Sequence, residues 1–174
     1  MIVVHRLTAA FSTIPDAEAW VWAALLVCIF TIISLPVGFK FDFLQLKVET
    51  AWETVVSVMA MTLLIPGLLE ETVFRVLLLP HPAENPSLGV QLLWGLGSLA
   101  IFIISHPLNG LTFYRARLKT FTNPVFLSLA GLLGLVCTIA YWQSGSIWTP
   151  IAIHWLIVVI WLLGLGGYEK LYHS

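Results

Sequence analysis

Two adjacent glutamates, Glu70 and Glu71, an arginine at Arg75, and two histidines, His106 and His154, stand inside the long apolar runs of this 174-residue sequence. A charged group at membrane depth costs about 2.5 to 3.5 kcal/mol, so such residues pair, face water or carry function. A carboxylate can take a proton from water, and an imidazole can share that proton or donate to a developing oxyanion. One glutamate with two histidines is also a donor set that can hold zinc with a water in the fourth place.

Spacing divides the two acids. Glu71 and Arg75 are i and i+4 with the acid on the N-terminal side, the favourable arrangement for an ion pair on one helix face. Adjacent residues sit about 100° apart around a helix, so Glu70 points elsewhere and needs a partner from another span. The plainest reading of Glu71 and Arg75 is a pair that steadies the bundle. A lone histidine in a span is, equally plainly, an interhelical hydrogen bond. An unpaired glutamate and two histidines in three different spans are harder to explain that way, and Glu70, His106 and His154 are the candidate reacting set. His5, His81 and His173 fall in predicted termini or loops and read as solvated surface, with His81 between Pro80 and Pro82 as loop punctuation. Cys28 and Cys137 lie in apolar runs and read as small buried hydrophobes, neither a disulfide framework nor a metal site.

The elements that position these side chains follow from composition. Hydrophobic residues make up 59 % of the chain and charged residues 10 %, with a mean hydropathy of +0.96, far from the roughly one-quarter charged content of soluble domains. The sequence specifies an all-α integral membrane protein, a compact bundle of about five transmembrane helices in one membrane domain covering residues 1–174. A span needs about 20 apolar residues, which places the five at roughly 19–39, 53–79, 88–106, 123–142 and 147–164. Residues 1–17 are too short and mixed to span, and they lack a signal-peptide layout. Pro66 and Gly67 lie one turn before the glutamates, where a kink or opened turn is expected. Counting inward from the loop at residues 80–87, His106 lies about 13 Å deeper than Glu70 at the helical rise, a gap that a later start of the third span near Leu92 or helix tilt would have to close.

Arg115, Arg117 and Lys119 crowd one short loop, and with alternating spans Lys40, Lys47 and Lys170 fall on the same side, leaving Arg6 opposite. That bias predicts an outside N-terminus and a cytoplasmic C-terminus. The cytoplasmic membrane is the expected location, with a thylakoid or organelle membrane as alternatives. A net charge of −1 and the lack of a polybasic run argue against a nucleic-acid partner.

Three short patterns occur in order on successive apolar stretches. Glu70 to Arg75 fits E-E-x-x-x-R, Phe102 to His106 fits F-x-x-x-H, and His154 follows Gly145, Ser146, Ile147, Trp148 and Pro150. Together they resemble the CPBP (ABI) family of CAAX prenyl protease 2-like intramembrane proteases, over a family-like core of residues 52–165. The resemblance implies that Glu70 and His106 activate a water and that His154 stabilises the oxyanion, with Glu71, Arg75 and Phe102 in support. The third family motif is usually H-x-x-x-N or a close polar variant, and Val158 stands where that polar residue is expected.

The function so implied is an intramembrane endopeptidase that uses a glutamate-activated water to hydrolyse a peptide bond in a membrane-associated protein or peptide, prenylated substrates included. No cofactor is expected. Were zinc bound instead, Glu70, His106 and His154 would be its ligands. Val158 supports a second reading, a catalytically silent membrane binding or scaffold protein of the same family. A small transporter using the buried acids as a proton relay fits less well, since no internal repeat is present.

Overall fold

The computed structural model describes residues 2–113 and 115–172; His173, read above as a surface residue, lies outside them. The chain is helical, and among the described residues extended backbone pairing is confined to one isolated bridge between Lys47 and Leu165. Four helical stretches are long and apolar enough to cross a membrane. They include α2 (Ala17–Lys40), α4 (Leu88–Thr112) and α6 (Pro124–Ser144). The remaining one starts with α3 (Trp52–Thr62) and continues as π-helix through Leu63–Glu70 and Thr72–Leu77. The fifth expected span, α7 (Trp148–Gly164), has 17 residues and falls short of the usual spanning length. Its first half is sheltered, with Thr149, Pro150, Ile151, Ile153 and His154 buried.

Helix ends are set by local chemistry. The Asp16 side chain accepts from the Ala19 amide at 2.8 Å to start α2. Asn123 accepts from the Val125 and Phe126 amides ahead of Pro124 at the first position of α6. Gly145 ends α6 with φ +63°, a left-handed cap that glycine adopts without penalty.

The residues before the first span form a helix of their own, α1 (Ile2–Ser12), docked on the bundle. Arg6 holds the Glu84 carboxylate through two nitrogens at 2.6 and 2.8 Å, and Ala10, Leu7 and Phe11 pack with Val76, Leu79, Tyr141 and Ile147. At the opposite end of the bundle residues 43–49 run as an extended strap. Its amides at Gln45, Lys47 and Glu49 donate to the carbonyls of Leu165, Gly164 and Leu163. The short helices Arg115–Arg117, α5 (Leu118–Phe121) and α8 (Gly167–Tyr172) close that end, so Lys47, Arg117, Lys119 and Lys170 gather there, while Arg6 sits at the other.

His81 is a correction to the sequence reading. It is buried, not solvated. Its Nδ1 accepts from the Ala83 amide at 3.1 Å, so the proton is on Nε2, which donates to the Gly145 carbonyl at 2.9 Å. Glu84 caps the His81 amide in return. A residue flanked by two prolines thus staples the second span to the α6–α7 corner.

Candidate active site

Pro66 has no amide hydrogen, and from Leu63 onward the chain adopts the wider i→i+5 turn of the π-helix. Such turns are uncommon at this length and leave carbonyls to be satisfied from outside. Ser98 on α4 donates to the Phe74 carbonyl at 2.6 Å, and Thr72 bonds back to Leu68. Gly67 keeps the contact with α7 close, with Ile151 and Trp155 each 3.7 Å from where a Cβ would stand.

This segment aims its two glutamates in different directions. Glu71 is fully buried in the bundle interior. Its Oε2 lies 3.0 Å from Arg75 Nε, at an angle too poor for a hydrogen bond, so charge holds that contact. Its Oε1 receives Nδ1–H of His154 at 2.5 Å. Arg75 is itself buried, donates to the Gly134 carbonyl at 3.1 Å, and lies 5.1 Å over the Phe102 ring. Glu71 is therefore more than a local partner for Arg75: it joins the second span to α7 across 83 positions of sequence. The sequence offered the two histidines to Glu70 and left the Glu71 contact with His154 unseen, because a helical wheel shows which residues part company and not which distant one arrives.

Glu70 instead lines a cavity of about 490 Å³, together with His106, His154 and Val158. Among the described residues no hydrogen bond or ion pair engages its carboxylate. His106 donates from Nδ1 to the Phe102 carbonyl at 2.8 Å, which accepts from Ser105 as well. In its neutral form His106 thus offers the lone pair of Nε2. The helix does not end there, as the sequence suggested, but runs through Pro107 to Thr112. Phe102 stands between the histidines, with ring centroids 4.8 Å from His106 and 6.1 Å from His154.

Glu70, His106 and His154 share one cavity, but among the described residues no hydrogen bond joins any two of them, and His154 bonds Glu71 instead. Since α4 starts at Leu88, a late start does not remove the depth offset between Glu70 and His106. His106 packs against Phe121 and Phe126, towards the end of the bundle where the basic residues gather. The cavity, not a hydrogen bond, connects it to Glu70.

Residues 51–160 match the family model described as type II CAAX prenyl endopeptidase Rce1-like. The chain belongs to this family. No curated protein and no solved structure is a significant match to it. The Rce1-like family consists of membrane-embedded proteases that act on proteins, and the matched region covers Glu70 to Arg75, Phe102 to His106, and His154 with Val158 in place of the expected asparagine.

For an Rce1-like chain the question of a metal can be put to the donor atoms. Among the described residues those close enough to share an ion belong to Glu71, Cys137 and His154, within 4.8 Å of one another, a set without Glu70 or His106. Their chemistry would suit zinc, but their bonding does not. Both Glu71 oxygens already serve His154 and Arg75, and the guanidinium places a positive charge where a dication would have to sit. No step is assigned to a metal.

Proposed function

We propose that this Rce1-like protein is an intramembrane endopeptidase in which Glu70 activates a water held in the cavity. The observation that carries the reading is the convergence of Glu70, His106 and His154 on one cavity from three different helices. Glu70 takes a proton as the water oxygen attacks the peptide carbonyl carbon, while His106 lines the same cavity with its Nε2 lone pair available. The carbonyl oxygen becomes the oxyanion beside His154. Collapse of the tetrahedral intermediate breaks the C–N bond, and the proton held by Glu70 passes to the leaving nitrogen.

Glu71 fixes how His154 takes part. With Nδ1–H committed to the carboxylate, neutral His154 presents a lone pair at Nε2, and it donates to an oxyanion only when doubly protonated. Val158 lines the same cavity one helical turn beyond His154 and supplies no donor of its own. That apolar lining favours the second reading, a silent membrane binding protein of the same family.

The two are separated by incubating purified protein with a membrane-anchored peptide and following new termini by mass spectrometry. Time-dependent cleavage supports the peptidase. Binding without cleavage over a range of peptides supports the silent protein.

A further inference from the structure

One face of α2 lines the cavity with Val27, Phe30, Thr31, Ser34 and Leu35, spaced as the stripe of a helix turned towards it. Two of these residues carry hydroxyls, and the two behave differently. Thr31 donates back to the Val27 carbonyl at 2.8 Å, the usual resting place of a hydroxyl in an apolar helix. Ser34 makes no such bond. It is 5 % exposed, and no described group bonds its hydroxyl. The other buried serines and threonines among the described residues all have partners, as Thr62 has in Val58 and Ser98 in Phe74. Sealed, partnerless polar atoms occur at Tyr141 and Trp142, but Ser34 Oγ is not one of them, so it keeps access to the cavity. A sheltered hydroxyl without a partner is costly, and a substrate carbonyl would satisfy it.

Depth places this hydroxyl beside the position where the family pattern is broken. Helices α2 and α7 pack together, and the strap that follows α2 bonds to the carbonyls at the end of α7, so the two run in the same direction. Ser34 stands six residues before the end of α2 at Lys40, and Val158 six residues before the end of α7 at Gly164. Both therefore lie about 9 Å from that end of the bundle at the helical rise. Val158 also packs on the apolar cluster that contains Phe30, one turn from Ser34.

We propose that Ser34 supplies, from α2, the oxyanion donor that Val158 lacks. This rests on the peptidase reading, because the oxygen it serves belongs to the peptide carbonyl under attack. Neutral His154 presents a lone pair to the cavity, whereas a hydroxyl donates without any change of ionisation. As the water oxygen bonds the carbonyl carbon, the C=O electron pair moves onto oxygen, and the Ser34 O–H donates to it. When the C–N bond breaks the carbonyl re-forms and the hydrogen bond weakens. Ser34 forms no bond to carbon and gives up no proton.

The test is cleavage of one membrane-anchored peptide by the full chain in detergent, with kcat and KM determined separately. Ser34→Ala is expected to lower kcat about a hundredfold and to leave KM within about twofold, since the donor acts in the transition state. Ser34→Cys, which carries a weaker donor, loses at least about tenfold in kcat and serves as the second variant. Val158→Asn raises kcat at least about threefold more in the Ser34→Ala background than in the parent, because two donors to one oxygen are coupled. Ser34→Ala keeps the parental unfolding temperature, as no hydrogen bond is lost; a structural hydroxyl would instead register as lost stability. Cleavage by both Ser34 variants within about threefold of the parent overturns the proposal and leaves the peptidase reading standing. A raised KM at unchanged kcat, an equal gain from Val158→Asn in both backgrounds, or unfolding that accounts for the lost rate overturns it likewise. A parent that cuts none of the peptides fails the peptidase reading, and the proposal falls with it.

Discussion

His154 Nδ1 donates to Glu71 Oε1 across 2.5 Å inside the bundle, so the candidate oxyanion donor is held by the glutamate that does not line the cavity. The same carboxylate neutralises Arg75 from its other oxygen. Carboxylates commonly fix the tautomer and ring angle of a functional histidine in this way.

Removing that carboxylate leaves Arg75 buried and uncompensated. Glu71→Ala is expected to destabilise the protein by about 3 to 5 kcal/mol, the usual cost of breaking a buried pair from one side. The double variant Glu71→Ala, Arg75→Met should regain part of the loss, since it removes both charges. Thermal unfolding in detergent measures this, and equal stability of Glu71→Ala and the parent would contradict the central position given to Glu71.

Gly134 sits where α6 meets Phe102. A Cβ there would lie 2.9 Å from the Phe102 ring and 2.8 Å from Leu99. Gly134→Ala should therefore push Phe102 from its place between the histidines and cost about 1 to 3 kcal/mol. Cleavage should fall more than stability does, because Phe102 also packs on Arg75. A variant with normal unfolding and normal cleavage would show that the ring has room to spare.

His81 is expected to behave as a structural residue. His81→Ala removes the donor to Gly145 and the acceptor for Ala83 in a buried corner, and a loss of about 1 to 3 kcal/mol is expected. His5, exposed on α1, serves as the control, and His5→Ala should leave the unfolding temperature unchanged.

Position 158 tests the departure from the family pattern. One oxyanion donor is worth about a hundredfold to a thousandfold in rate. Val158→Asn is expected to raise turnover at least about tenfold, with little effect on substrate affinity. Unchanged turnover would mean that position 158 does not face the reacting carbonyl.

Much of this arrangement was legible in the sequence where local rules apply. The i, i+4 spacing announced the Glu71–Arg75 pair, apolar runs announced the helices, and the divergence of Glu70 from Glu71 followed from their adjacency. Pro66 flagged a disturbed turn but not its form, because a kink and a π-helix answer the same missing amide. His81 was misread since prolines on both sides mark a loop whether it is solvated or packed. The Glu71–His154 contact depends on helix packing, which no local pattern encodes.

The most direct test of the account compares the purified parent with Glu70→Gln on one membrane-anchored peptide, with cleavage quantified by mass spectrometry and folding checked by thermal unfolding. The account predicts that Glu70→Gln remains folded and loses at least about a hundredfold in rate, as expected on removing a general base. Cleavage at the parental rate by a folded Glu70→Gln protein would contradict it.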